Sequence, residues 1–190
     1  MHRQPLLTML DVYARATPEE APVAARIRRL VESHSDCFDR DCRPGHVTGS
    51  AWVLSADRRR CLLLHHRKLD RWVQPGGHAD GDPDVLGVAI KEATEESGLE
   101  GLTPLGSASP PFDLDVHLIP ARHAATGELI EDAHEHHDVR FLLVAPTDAP
   151  PVVCAESNDV RWCTPGEVAS LTQEESVLRL LRKSSPYLTG

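Results

Sequence analysis

The chain has 190 residues, 41% of them hydrophobic, which is enough to close one good core and short enough to favour one main domain. Its 29 acidic and 20 basic side chains give a formal charge of −9, which excludes the broad electropositive surface that binds polymeric DNA or RNA. No apolar stretch approaches the roughly 20 residues needed to span a bilayer, so no membrane is a partner.

In chain order, the first helix signal is Thr17-Pro18-Glu19-Glu20, with Thr17 as N-cap, Pro18 at the first helical position and Glu20 completing a capping box. The helix should run to about His34, burying the stripe Val23, Ile27, Leu30, Val31 and His34. Residues 1–45 therefore form an N-terminal helical extension docked on a domain spanning 46–190. Residues 46–54 and 60–66 read as a hairpin, and Trp72-Val73-Gln74 as a short strand broken by Pro75-Gly76-Gly77. A helix follows over 84–97, with Gly98 where a left-handed C-terminal cap belongs. Residues 112–118 and 134–141 alternate in polarity as half-buried strands do, and 160–163 is a further short strand. Thr164-Pro165-Gly166-Glu167 repeats the helix-start signature, and a last amphipathic helix covers 173–183. Strands and helices mix without regular alternation, which predicts an α+β domain with a mixed sheet covered by helices.

The chemistry concentrates on the helix at 84–97. Glu92, Glu95 and Glu96 lie at i, i+3 and i+4 and share one face, where like charges repel unless a cation neutralises them. A hard divalent ion with oxygen ligands answers that pattern. Leu86, Ile90, Ala93 and Ser97 line the opposite side, which can pack down. On charge pattern alone, the alternative is a solvated acidic face.

The wider stretch 77–99 resembles the Nudix box: Gly, five residues, Glu, seven residues, then Arg-Glu-apolar-any-Glu-Glu-any-Gly-apolar. Gly77, Glu92, Ala93, Glu95, Glu96, Gly98 and Leu99 fall at the required spacing, and Pro75-Gly76-Gly77 is the usual entry. Pro83 stands where the pattern has its first Glu, and Lys91 where it has Arg, so the ion pair that braces the loop in the family is missing. Asp82 or Asp84 is expected to pair with Lys91 instead. The resemblance implies a Nudix-type α/β/α sandwich. It also implies Mg²⁺, or Mn²⁺, bound by Glu92, Glu95, Glu96 and the backbone of Gly77, with Glu95 or Glu96 taking a proton from the attacking water.

The two alternating strands supply a candidate substrate face. Asp113, Asp115 and His117 share one side of the first, and His134, His136, Asp138 and Arg140 one side of the second. If the strands pair, the polar faces merge, pointing away from Phe112, Leu114, Val116, Leu118, Val139, Phe141 and Leu143. Asp is a poor strand former and so many His together are unusual, which favours a ligand site over a solvent face, for substrate or a second metal. His65, His66, Arg67, Lys68 and His78 flank the box entry and are further candidates for phosphate contacts.

His34, Cys37, Cys42 and His46 have a spacing that suggests zinc, but it is not that of a structural zinc knuckle, and zinc is not expected there. Cys61, Cys163 and the three Trp read as core. Five Cys is an odd number, and Asp11 closely follows the short N-terminal apolar patch, unlike a signal peptide; free thiols in a reducing cytoplasm are expected.

The function implied is metal-dependent hydrolysis of a pyrophosphate linkage in a nucleoside diphosphate linked to X, or a related small anionic nucleotide. The alternative is a catalytically weak Nudix-like domain that binds a nucleotide or sugar phosphate as a sensor. Whether the chain forms a homodimer is left open.

Overall fold

Leu6, Leu10 and Tyr13 recur at helical spacing and are all buried, and they draw the start of the chain onto the main core. In a computed structural model, which describes residues 2–106 and 110–189, they belong to helix α1 (Gln4–Ala16), an element the sequence reading did not anticipate. Thr17 does not cap a long helix. Pro18–Glu20 forms a 3-10 turn without a side-chain cap, and α2 (Ala21–Ser33) starts only after it. Glu20 is drawn elsewhere: it accepts hydrogen bonds from Tyr13 and from Lys183, the latter at 2.7 Å. Ile27, Leu30 and Val31 are buried as expected, whereas His34 lies just past the helix end.

The sheet is built from β1 (Gly45–Leu54), β2 (Cys61–His66), β3 (Arg71–Val73), β4 (Gly76–His78), β5 (Thr103–Pro104), β6 (Asp113–Ile119), β9 (His134–Val144) and β10 (Ser157–Cys163). Its main path is β10-β2-β1-β9-β5, with β3 on β2, β4 on β1 and β6 on β9. Strands β1 and β9 run parallel, from Gly45 opposite Glu135 to Leu54 opposite Val144, while the other pairs are antiparallel. A separate pair, β7 (Arg122–His123) and β8 (Leu129–Glu131), lies between β6 and β9 in sequence.

Alternation divides β1 between two cores. Val47, Ala51 and Val53 face α1, α2 and α3 (Val85–Ser97), together with Leu114, Val139 and Phe141. Trp52 and Leu54 pack with Val168 of α4 (Pro165–Leu171) and with Val177 and Leu180 of α5 (Glu175–Ser184). The result is the expected mixed sheet between helical layers. Helix α4 starts on the expected capping box, Thr164 with Glu167. Leu118, expected to be buried with its strand's apolar side, is 65% exposed near the end of β6, where it stays paired with Glu135.

Candidate active site on helix α3

Helix α3 is fixed at both ends. The Asp84 carboxylate accepts the Gly87 amide at 3.1 Å, and Gly98 takes φ 68°, a left-handed cap that a side chain would strain. Val85, Val88, Ala89, Ala93 and Ser97 are buried against the sheet. This leaves Glu95 exposed and Glu92 half-buried, while Glu96 is only 8% exposed. Strand β4 runs along this acidic edge. The Gly76 amide donates to Glu96 Oε2 at 2.9 Å, and a Cβ on residue 77 would fall on the Glu92 carboxylate, so only glycine lets the strand and that carboxylate meet.

Burial raises the Glu96 pKa to about 7; the Gly76 hydrogen bond opposes this, and the charges of Glu92, Glu156 and Glu95 add to it. Burial likewise raises the Glu92 pKa, Lys91 opposing and Glu95 adding. Three carboxylates crowded at one edge, two of them reluctant to ionise, form an oxygen donor set that a hard divalent cation relieves, so the residues present fit Mg²⁺ or Mn²⁺.

The loop entering α3 is not braced as the sequence suggested. Lys91 lies 3.5 Å from Glu92. The Asp84 side chain is the helix cap, and the Asp82 side chain accepts the Asp84 amide at 2.9 Å. Instead Arg40 grips Asp80 through two hydrogen bonds of 2.7 and 2.5 Å, and the Gly81 amide donates to the Phe38 carbonyl at 3.0 Å. Pro83 turns toward α1, where it lines a small hollow of about 220 Å³ with Pro5, Leu6 and Met9. An apolar residue suits that position, and a Glu there would face the apolar helix.

Strands β6 and β9 do pair, with Asp115 opposite Asp138 and His117 opposite His136, so their polar faces merge as expected. Much of that face is interior, however. Arg140 Nε lies 2.7 Å from Asp138, and its terminal nitrogens lie 3.2 Å from Asp113 and 3.0 Å from Asp115. Arg179 of α5 contacts Asp113 and Asp115, each at 2.9 Å, and Lys183 contacts Asp113 at 2.8 Å. Thr48 and Ser50 donate to Asp138. Asp115, Asp138 and Arg140, expected to face a ligand, are thus members of a network of three carboxylates and three cations, closed by α5. The sequence reading treated α5 only as an amphipathic cover and gave its basic residues no partners.

Beyond this network the same face carries five histidines. His46 lies opposite His136 across β1 and β9, and His78 lies opposite Thr48 across β1 and β4. Ring centroids are 4.8 Å apart for His46 and His136, 5.0 Å for His46 and His134, 5.3 Å for His134 and His136, and 5.4 Å for His117 and His136. The His78 ring sits 5.1 Å from His46 and 5.0 Å from His136. Nε2 of His136 has no hydrogen-bond partner, a burial that costs about 1–3 kcal/mol, and His46 is buried with only the Cys42 backbone as an acceptor. Desolvation, then neighbouring imidazoles, lower the pKa of His46 to about 4 and of His136 to about 2; desolvation also lowers that of His78. His117 is the open member, its side chain 44% exposed and its Nδ1 3.2 Å from Asp115. His46 was considered from sequence only as a partner of Cys37 and Cys42. Its place in this group depends on the parallel β1–β9 register, which no local pattern encodes.

All five cysteines are free. Burial raises the thiol pKa to about 11 in Cys37 and about 12 in Cys42, whose Sγ donates to Asp36 at 3.6 Å. Cys61 and Cys163 are core residues, as expected. A hollow of about 840 Å³ is lined by Arg59, Pro165, Leu181, Arg182, Ser185, Leu188 and Thr189 and includes none of the candidate site residues. Its lining holds two arginines and no carboxylate, so it offers no oxygen donor set for a hard divalent cation, unlike the acidic edge of α3.

A mixed sheet sandwiched by helices, with a glutamate-rich helix laid along a glycine strand, is the architecture of a known family. The NUDIX domain model matches residues 45–183, and the chain belongs to the Nudix hydrolase family. Solved structures share the fold at low identity. An Ap4A hydrolase from C. elegans is 21% identical, covering 74% of this chain and 96% of its own, with a TM-score of 0.52. A NUDIX family hydrolase from Clostridium perfringens is 18% identical, covering 76% and 98%, with a TM-score of 0.56. The NUDIX domain of Shewanella oneidensis NrtR, solved with ADP ribose, is 17% identical, covering 75% and 88%, with a TM-score of 0.51. No curated protein sequence matches the chain. Among the described residues no helix is long and apolar enough to cross a membrane.

Proposed function

We propose that this chain hydrolyses the pyrophosphate linkage of a nucleoside diphosphate joined to a second group, using Mg²⁺ or Mn²⁺ held by Glu92, Glu95, Glu96 and the backbone of Gly77. The observation that carries the reading is the convergence of two α3 carboxylates, Glu92 and Glu96, on the Gly76-Gly77 strand, with the exposed Glu95 beside them on the same helix. When bound, the ion neutralises phosphate oxygens and lowers the pKa of a bound water. Glu95 or Glu96 takes the proton of the attacking water, and Glu96 suits the role because burial raises its pKa to about 7. His78 and the exposed His117 offer nitrogen contacts to the anionic substrate. Two of the structural neighbours, the Ap4A hydrolase and the ADP-ribose-bound domain, handle nucleotides with phosphoanhydride linkages, which supports that substrate class. A reducing cytosol, where the five thiols stay free, is the setting that suits the chain.

The departures at Pro83 and Lys91 favour a second reading, in which the domain binds such a nucleotide without efficient turnover. Purified protein incubated with a panel of nucleotide pyrophosphates and either ion separates the two. Turnover abolished by EDTA and by Glu92→Gln/Glu96→Gln supports hydrolysis. Calorimetric binding without product supports the sensor. His117→Asn should lower kcat/KM about tenfold with Tm unchanged, because an exposed substitution seldom shifts stability by more than about 0.5 kcal/mol.

A further inference from the structure

We propose that His46, His134 and His136 form a second metal site, for a divalent late transition ion such as Zn²⁺, separate from the carboxylates of α3. The proposal does not rest on the hydrolytic reading above. One ligand nitrogen from each of the three lies within 4.8 Å of the others, and His46 and His134 are almost wholly buried. Zinc bonds of about 2.0–2.1 Å in a tetrahedron place imidazole centroids roughly 5 Å apart. The three measured separations are 5.0, 4.8 and 5.3 Å, so the rings need only rotate to aim their nitrogens at a common centre.

Two further observations point to a ligand rather than to a packed imidazole stack. The first is an orphaned nitrogen: a stack built for packing alone would not bury Nε2 of His136 without a partner beside the buried His46. The second is the state of His134. Its Nδ1 lies 2.9 Å from the Asp132 carbonyl, which can only accept, so the proton sits on Nδ1 and Nε2 keeps its lone pair. Metal-ligating histidines are held in this way, with the outer nitrogen donating to a backbone oxygen. Glu131 Oε1, 3.9 Å from His134 Nε2, is near enough to become a fourth ligand, and His78 flanks the group. Three neutral nitrogen donors select Zn²⁺ and its late transition neighbours over Mg²⁺, which takes oxygen.

Strand order makes the site a staple. It would tie β1 to β9 at the end where the 3-stranded face of β1, β9 and β6 runs out and the β7–β8 pair begins. Chelator-treated full-length protein titrated with Co²⁺ should develop the strong visible absorption of a tetrahedral site at one equivalent, displaced by Zn²⁺, with a higher Tm. The Glu92→Gln/Glu95→Gln/Glu96→Gln variant should keep that signal. His46→Asn/His136→Asn should weaken binding by more than about 100-fold, since losing even an outer-shell partner typically costs roughly 10–100-fold. Should the histidine variant fail to fold, X-ray absorption of the Zn²⁺-loaded wild type decides the matter by showing imidazole nitrogens in the first shell. A pale octahedral Co²⁺ spectrum, an all-oxygen zinc shell, or binding that survives in the histidine variant and disappears in the glutamate variant would overturn the proposal.

Discussion

The Gly76 amide and the Glu96 carboxylate meet at 2.9 Å, tying the acidic helix to the strand that precedes it. The same contact holds Glu96 where burial disfavours its charge. A raised acid pKa means that the folded state binds the proton more tightly than the unfolded chain. No penalty exists below the unfolded value, and it is fully present above the folded one, at about 7. Glu96→Gln keeps an oxygen for the Gly76 amide and removes the charge. In EDTA the variant should therefore be more stable than wild type at about pH 8, by up to about 3 kcal/mol, and the difference should close as pH falls toward about 4.5. Its kcat should drop at least about 100-fold, the usual scale for losing an acid–base group. Equal melting curves across that pH range would show that Glu96 is not strained in the fold.

Arg140 is 2% exposed and faces Asp113, Asp115 and Asp138 at once. Burial alone would raise the Asp115 pKa, but the His117 hydrogen bond and the charges of Arg140 and Arg179 hold that carboxyl well below the usual range. Such a depressed pKa contributes stability that is present above the unfolded pKa and is lost as pH falls through the folded one. Arg140→Met leaves two cations against the buried Asp113 and Asp138 and the half-buried Asp115, and should cost about 3–5 kcal/mol at neutral pH. The loss should shrink in acid, where the wild type itself weakens. Chemical denaturation at about pH 7 and about pH 2.5, below the unfolded carboxyl pKa of roughly 3.9, gives both numbers, and a pH-independent loss would attribute the effect to packing alone.

Local pattern made legible whatever depends on local pattern. The carboxylates at 92, 95 and 96, the cap at Gly98 and the box at Thr164 and Glu167 each follow from spacing over a few residues. What the sequence concealed is carried by distant partners. Asp115, Asp138 and Arg140 read as ligand groups because Arg179 and Lys183, which neutralise the carboxylates, arrive from a helix near the chain's end. His46 joins His136 only through a parallel crossover of about ninety residues, the separation that hides such contacts from periodicity. Helix α1 starts without a side-chain cap, so Leu6, Leu10 and Tyr13 mark it only through the core they join.

Arg40 substitutes for the ion pair that Pro83 and Lys91 cannot make, and its grip on Asp80 is on the surface, the side chains being 59% and 45% exposed. Arg40→Ala should cost less than about 1 kcal/mol of global stability, as exposed pairs do. The local consequence should be larger. Hydrogen exchange at residues 79–84, including the Gly81 amide bonded to Phe38, should quicken while α3 stays protected. Unchanged exchange in that loop would show that the backbone contact braces it without Arg40.

Gly77→Ala tests whether the carboxylate and the strand must touch. Residue 77 has no positive φ, so alanine is tolerated by the backbone, and the only obstacle is the Glu92 carboxylate that its Cβ would meet. Glu92 is half-buried and can swing outward, so the fold should survive with a loss of about 1–2 kcal/mol, the lower part of the range for overpacked sites. The displaced carboxylate no longer faces Gly77. If Glu92 and the Gly77 backbone share one ion, the variant should need about tenfold more Mg²⁺ for half-maximal activity, with kcat at saturating ion reduced less than in Glu92→Gln. A rate–Mg²⁺ titration distinguishes the outcomes. An unshifted midpoint with a lowered plateau would mean that Glu92 acts in the reaction without holding the ion, and an unshifted midpoint with a full plateau would remove the Gly77 contact from the site.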